Sequence, residues 1–92
     1  MSQPARRLKE EMARHAKLLD RLCSRPKDFT WNELARLLAH FGYTEKSGSG
    51  SRRKFVTDEG TMISLHKPHP GSILKAYQID AVLAHLRQEN LI

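Results

Sequence analysis

The 92-residue chain has few cysteines, few aromatic residues and no long apolar runs. Its single cysteine, Cys23, excludes an internal disulfide and a cysteine-based zinc site. No apolar run approaches the roughly 20 residues that a membrane-spanning helix needs, and the N-terminal residues lack the apolar core of a signal peptide. With 39% hydrophobic residues and 7% aromatic residues, the chain predicts one small domain with a modest core. We expect a cytoplasmic protein that holds no cofactor.

The chain is strongly basic, with sixteen Lys and Arg against ten Asp and Glu and a formal charge of +6. Such an excess predicts a polyanion or an acidic protein as partner. Residues 1–28 and residues 46–79 each carry a net charge of +4. The first block mixes charges of both signs, as solvated helix faces do. In the second block no acid occurs between Lys46 and Asp58, so this block is the better candidate for contact with phosphate.

Three segments have the periodicity of amphipathic helices. The first spans residues 5–24 and ends before Pro26, which cannot continue a helix. The second begins at Thr30, which has the spacing of a capping box with Glu33, and the third spans residues 77–89. The predicted core positions are Leu8, Met12, Ala16, Leu19, Leu22 and Cys23 in the first helix, Leu34, Leu37, Leu38 and Phe41 in the second, and Ile79, Val82, Leu83 and Leu86 in the third, with Trp31 at the edge of the core.

Two strands, residues 52–57 and 61–66, are predicted to form a hairpin whose three-residue loop ends in a left-handed Gly60. That loop places Arg52 opposite His66 and separates the side chains onto two faces. The apolar face holds Phe55, Ile63 and Leu65, and the polar face holds Arg52, Lys54, Ser64 and His66. A short strand at residues 43–47 completes a three-stranded antiparallel sheet.

The order helix, three strands, helix is that of a double-stranded-RNA-binding domain. We therefore predict an α+β fold of this type over residues 29–92, with the helices on one face of the sheet. Residues 1–28 form an extra N-terminal helix and its linker.

Two histidines near the end of the second hairpin strand are the strongest candidates for chemistry. His66 lies opposite Arg52, and His69 follows just beyond the strand. An imidazole can take a proton from a ribose 2′-hydroxyl, and a guanidinium can hold the phosphate and stabilise its developing charge. Together they would cleave RNA without a metal. Spacing alone favours the simpler interpretation, in which both histidines only hydrogen-bond phosphate or backbone on a binding surface.

Other chemistry has less support in the sequence. His66 and His69 have no acidic or cysteine partners nearby to complete a metal shell, so no metal site is predicted. The glycine–serine repeat of residues 48–51 lacks the lysine and the strand-to-helix context of a P-loop. The remaining histidines, His15, His40 and His85, lie on helices, where surface or packing roles are the default.

Four motifs together resemble the HicA toxins, small basic proteins of bacterial type II toxin–antitoxin pairs. They are Thr30-Trp31-x-Glu33-Leu34, Phe41-Gly42-Tyr43, Gly50-Ser51-x-x-x-Phe55 and the His69-Pro70-Gly71 turn before the last helix. The resemblance covers about residues 29–92. It implies the double-stranded-RNA-binding fold, endoribonuclease activity on mRNA, and a HicB-like antitoxin that covers the active face in a hetero-oligomer.

One position departs from the family. The family has Gly-Ser-His at the glycine–serine turn, with the histidine as catalytic base, and here that position is Arg52. Arginine stays protonated and cannot act as the base. Either the role has moved to His66, with His69 as a second acid or base, or the protein binds RNA without cutting it. The predicted RNA-binding residues are Lys46, Ser51, Arg52, Arg53, Lys54, Lys67 and Lys75.

Two other interpretations remain open at this point. A binder of double-stranded RNA would have a lysine cluster at the start of the last helix, where only Lys75 is found. Alternatively, the basic face meets an acidic protein. The N-terminal helix lies outside the family core, and it could pack on the domain, form a dimer or dock on the antitoxin.

Overall fold

Three helices and a three-stranded antiparallel sheet make up the computed structural model, which describes the backbone of residues 5–92 and the side chains of residues 14–92. In chain order the elements are α1 (Ala5–Cys23), α2 (Trp31–His40), β1 (Thr44–Ser47), β2 (Arg52–Val56), β3 (Met62–His66) and α3 (Ala76–Gln88). The strands lie in the order β1-β2-β3. The predicted α+β fold is confirmed: one helix, three strands and a second helix follow one another, and an extra helix precedes them.

Helix α2 begins where the capping box predicts. The Glu33 N–H donates to Thr30 Oγ1 at 3.2 Å, and the Thr30 N–H donates to Glu33 Oε1 at 3.0 Å. Two backbone donors at the start of the helix are thereby satisfied. Trp31 is fully buried and belongs to the core. The prediction that it lies at the edge of the core is therefore wrong.

One apolar core joins α2 and α3 to the covered face of the sheet. Its fully buried residues include Phe29, Trp31, Leu34, Leu37, Leu38, Phe55, Ile79, Val82 and Leu86. The predicted apolar positions of α2 and α3 are largely confirmed, with Phe41 only partly buried. The α1 positions Leu8 and Met12 lie outside the described side chains. Ala16, predicted for the core, is exposed, and Leu19 is partly buried.

Helix α1 packs against both α2 and α3, which in turn contact β1 and β3. Leu22 is fully buried, and Arg25 Nη2 lies 2.8 Å from Asp80 Oδ2 of α3. Packing on the domain is therefore the role that the structure gives this helix. The prediction that Cys23 lies in the core is wrong, because Cys23 is exposed. One helical step of about 100° turns it away from the buried side of Leu22.

The hairpin has the predicted register throughout. Arg52 is paired with His66, and Gly60 has a φ of +92°. The strands are one residue shorter at the loop than predicted. β1 begins at Thr44, one residue later than predicted, because the Tyr43 N–H donates to the Leu38 carbonyl of α2 at 2.9 Å. The Tyr43 side chain is buried, with its hydroxyl 2.7 Å from His85 Nε2. No helix in the described part of the chain offers an apolar stretch long enough to span a bilayer.

Candidate nucleic-acid interface and active site

Basic and polar side chains occupy the face of the sheet that α2 and α3 leave uncovered. Directly paired residues of antiparallel strands project to the same face, and the register pairs Arg52 with His66. We call this surface the open sheet face; its exposed residues are Lys46, Arg52, Lys54, Ser64 and His66, with Thr44 and the apolar Met62 at the hairpin-loop end. Phe55 and Leu65 alternate with them and are buried. The predicted separation of the two faces is confirmed.

The charge on the sheet is concentrated at one end. Arg52 and His66 lie at the end remote from the hairpin loop, whereas the acidic Asp58 and Glu59 lie in the loop itself. Six residues of extended chain separate Arg52 from Asp58, a distance of roughly 20 Å. A phosphate at the Arg52 end is therefore well beyond the Debye length from these acids.

His66 is fixed by contacts from two neighbouring segments. Its Nδ1 lies 3.3 Å from Ser51 Oγ. Its carbonyl oxygen accepts a hydrogen bond from Gln78 Nε2 of α3 at 2.6 Å. The next residue, Lys67, donates its N–H to the Ser51 carbonyl at 2.8 Å. His66 is exposed, and these contacts hold its backbone and its Nδ1.

His69 lines a pocket in the loop after β3 that also includes Ser51. This loop pocket has a volume of about 330 Å³ and is lined by Ser51, Arg53, Lys67, Pro68, His69 and Gly71. His66 is not among its lining residues. The predicted site residues thus form two groups. Arg52 and His66 are paired on the sheet, and Arg53, Lys67 and His69 line the loop pocket. Ser51 is common to both.

Arg53 differs from its neighbours Arg52 and Lys54 because it points to the covered side of the sheet. Its Nη1 donates to the carbonyls of Gly50 at 2.9 Å and of Arg52 at 3.1 Å. Its Nε lies 3.7 Å from Glu45 Oε2, which also accepts a hydrogen bond from Trp31 Nε1 at 3.2 Å. The side chain therefore braces the turn that carries Ser51, and one edge of it reaches the loop pocket. Whether Arg53 also binds RNA stays a prediction.

The remaining predicted cations lie around these two sites. Lys46 and Lys54 are paired across β1 and β2 and extend the open sheet face away from Arg52. Lys75 immediately precedes α3 and is exposed. Their positions are consistent with a phosphate backbone that crosses the sheet, and their contact with RNA stays a prediction.

Gln78 is a site residue that the sequence did not single out. It is the one buried polar side chain among the described residues, at 2% exposed. Its Oε1 accepts the Lys75 N–H at 3.0 Å while its Nε2 holds the His66 carbonyl. The amide therefore ties the first turn of α3 to the end of β3. The only sequence signal for it is the spacing Lys75-x-x-Gln78, which matches the glutamine position of a capping box.

The described residues contain no group of three or more His, Cys, Asp or Glu side chains arranged to hold a metal ion. His66 and His69, the pair with metal-ligand spacing, therefore have no third ligand of these types in the part of the chain with described side chains.

Comparison with known proteins gives one match. A family model described as HicA toxin of bacterial toxin–antitoxin matches residues 31–88. The matched segment includes α2, the whole sheet, the loop pocket and α3, but not α1. Neither the curated proteins nor the solved structures include a match to the chain.

Proposed function

Because the chain belongs to the HicA family, the toxins of bacterial toxin–antitoxin pairs, we propose that it is a cytoplasmic endoribonuclease that cuts mRNA at the open sheet face. The observation that carries this proposal is the cross-strand pair of Arg52 and His66, an exposed imidazole beside an exposed guanidinium. A HicB-like antitoxin would inhibit the enzyme by covering this face. Because the face is basic, the antitoxin would carry acidic groups on the surface that contacts it.

In the proposed reaction His66 is the general base. Its Nε2 takes the proton of a ribose 2′-hydroxyl, and the 2′-oxygen forms a bond to the adjacent phosphorus. The P–O5′ bond breaks, and the leaving oxygen takes a proton from a general acid. We assign that role to His69. The products are a 2′,3′-cyclic phosphate and a 5′-hydroxyl, so atoms and protons balance without water in this step.

Arg52 is the electrostatic partner in this reaction. A guanidinium donates two parallel hydrogen bonds to a phosphate and stays charged throughout. Directly opposed residues of an antiparallel pair have Cβ atoms about 5 Å apart, which lets Arg52 and His66 reach one phosphodiester together. Lys46, Lys54, Lys67 and Lys75 would hold the flanking phosphates, and Arg53 would contact RNA at the loop pocket.

Ser51 acts as a positioning residue for the base. A neutral imidazole carries one proton, and it accepts at Nε2 only when that proton is on Nδ1. The Ser51 Oγ, 3.3 Å from Nδ1, can accept this proton in a hydrogen bond and so favours the active tautomer. The serine hydroxyl would thus orient the His66 ring and set its tautomer, as a hydrogen-bond acceptor does for other catalytic histidines.

The test is cleavage of a defined RNA by the purified full-length chain. Wild type is compared with His66→Ala, His69→Ala and Arg52→Ala, and Arg87→Ala controls for the loss of an exposed cation elsewhere. We expect His66→Ala to lower the cleavage rate by at least about 100-fold, with Arg87→Ala unchanged. A substrate with 2′-deoxyribose at the cut site should resist. Undiminished cleavage by both histidine variants would contradict the assignment.

A second candidate function is RNA binding without cleavage, and Arg52 itself favours it. The family's base position holds a residue that cannot take up a proton. Arg52→His distinguishes the two because it restores the family pattern. If His66 is the base, wild type cuts, and Arg52→His lowers the rate because it removes the guanidinium that stabilises the phosphate. If the protein is a non-catalytic binder or a decayed toxin, wild type binds RNA without cutting, and growth continues after its induction in a bacterium.

A further inference from the structure

A groove between α1 and α2 lies outside the open sheet face. It has a volume of about 630 Å³. We call it the α1–α2 groove; its lining includes Lys17, Leu18 and Arg21 of α1 and Arg36, Ala39 and His40 of α2. These residues recur at three- and four-residue steps on each helix, so the groove follows the helix axes. Along α1 the lining runs from Arg14 to Arg21, seven residue steps or about 10 Å.

The lining of the groove is mostly apolar but also carries cations. We call its apolar part, to which Leu18 and Ala39 contribute, the floor. The His15 and His40 rings stack with their centroids 3.6 Å apart, so each ring already covers one face of the other. Arg14 and Lys17 of α1 and Arg36 of α2 also line the groove, and all three are exposed; we call these cations its rims.

The rim cations Arg14, Lys17 and Arg36 form no ion pair with the described side chains. Arg21 closes one end of the groove, and it is neutralised by Glu33 at 3.2 Å and by Asp28 at 3.4 Å. Arg14, Lys17 and Arg36 therefore lie beside the apolar floor with no ion-pair partner among the described side chains.

We propose that the α1–α2 groove binds an acidic amphipathic helix of a protein partner. An apolar stripe at i, i+3, i+4 and i+7 would cover the floor, as in other helix-in-groove complexes. Carboxylates on either side of the stripe would meet Lys17 and Arg36. RNA suits the groove less, because a phosphate backbone would leave the carbon floor uncovered. A second copy of this chain is disfavoured by its own net charge of +6.

The groove lies on the helical side of the domain, whereas the proposed nuclease site lies on the sheet. A helix bound between α1 and α2 therefore leaves the Arg52–His66 pair open. This proposal does not depend on whether the chain cuts RNA, and the two are tested by separate measurements.

The probe is a fluorescein-labelled peptide of about 15 residues, long enough for measurable helicity. It consists of Leu and Glu with leucines at helical spacing, and a control peptide has the same composition with the two residues alternating. Binding to the full chain is followed by fluorescence anisotropy. The variant Lys17→Glu/Arg36→Glu reverses one rim cation on each helix, and Lys27→Glu/Arg87→Glu makes the same change in charge at exposed positions outside the groove. Thermal melts verify that both variants fold.

We expect the helical peptide to bind wild type at least about tenfold more tightly than the alternating peptide, and the rim variant to weaken that binding by about tenfold. The Lys27→Glu/Arg87→Glu variant should lose much less affinity for the helical peptide. Equal loss in both variants, equal binding of both peptides, or no binding to wild type would overturn the proposal. So would a labelled single-stranded RNA whose affinity falls as much as the peptide's in the rim variant, because nucleic acid would then be the occupant. RNA cleavage by the rim variant reports separately on the sheet site.

Discussion

The Gln78 amide offers the sharpest test of how α3 supports the candidate site. At 2% exposed, it donates to the His66 carbonyl at 2.6 Å and accepts from the Lys75 N–H at 3.0 Å. Gln78→Leu keeps the approximate volume and removes both hydrogen bonds. The His66 carbonyl would then be left without this partner at the end of β3.

The expected loss follows from the two groups left behind. A buried polar group without its partner costs about 1–3 kcal/mol. Both hydrogen bonds are only partly buried, so water can replace part of each and the cost falls at the lower end of this range. The greater hydrophobicity of leucine offsets part of it. We therefore expect the free energy of unfolding to fall by about 1 kcal/mol, which for a domain of this size lowers Tm by about 5 °C.

The assay is thermal unfolding followed by circular dichroism, with Gln88→Leu as the matched control. Gln88 lies in the last turn of the same helix and is exposed, so the same substitution there should move Tm by no more than about 2 °C. Gln78→Glu adds a second test. It keeps the acceptor for Lys75 but sets an oxygen against the His66 carbonyl, so it should cost at least as much as leucine. A Gln78→Leu melt indistinguishable from that of Gln88→Leu would refute the reasoning.

Three further predictions concern other residues. Thr30→Ala removes the cap of α2 and should cost about 1 kcal/mol of unfolding free energy, whereas Thr30→Ser should keep most of it; equal Tm values for the two variants would contradict this. Ser51→Ala should slow RNA cleavage by about tenfold with RNA affinity unchanged. Ser51→Thr keeps the hydroxyl and should therefore keep the rate. A loss of RNA affinity in Ser51→Ala that matches its loss of rate would instead make Ser51 an RNA contact. Desolvation, and secondarily the neighbouring His15, hold the pKa of His40 below its ordinary value. The unfolded chain therefore binds a proton at His40 near pH 6.5 that the folded chain does not, so stability should fall as the pH is lowered through that range. Melts between about pH 7.5 and 5.5 should show a smaller decrease in His40→Gln, and an identical decrease would rule out this source.

Local rules account for the features that the sequence predicts correctly. The capping box depends on Thr30 and Glu33, three residues apart, and the hairpin register depends on a three-residue loop ending in Gly60. Once the loop is known, pairing alone brings Arg52 beside His66, because antiparallel register is fixed by the turn. The central pair of the candidate site is therefore readable from about fifteen consecutive residues.

Contacts between distant segments account for what the sequence does not reveal. Arg25 finds Asp80 across 55 positions, and Gln78 reaches the His66 carbonyl from another helix. Neither pairing has a local signature. Arg53 is a related case: its spacing from Arg52 suggests one basic patch, but alternation along β2 turns it to the other side of the sheet, where Glu45 neutralises it.

The same alternation limits where a catalytic base could move within this fold. If the family's histidine position is occupied by Arg52, a replacement base must project from the same face and reach the same phosphodiester. Arg53, the next residue, projects to the opposite face. Lys54 and Ser64 share the face, but they lie one pair further along the sheet, roughly 7 Å away along the strands. His66 is the direct cross-strand partner, about 5 Å from Arg52. An exchange between these two positions keeps both an imidazole and a cation on one phosphate without moving the backbone. The double variant Arg52→His/His66→Arg should therefore retain cleavage, whereas loss of activity in it together with an active wild type would show that the two positions are not equivalent.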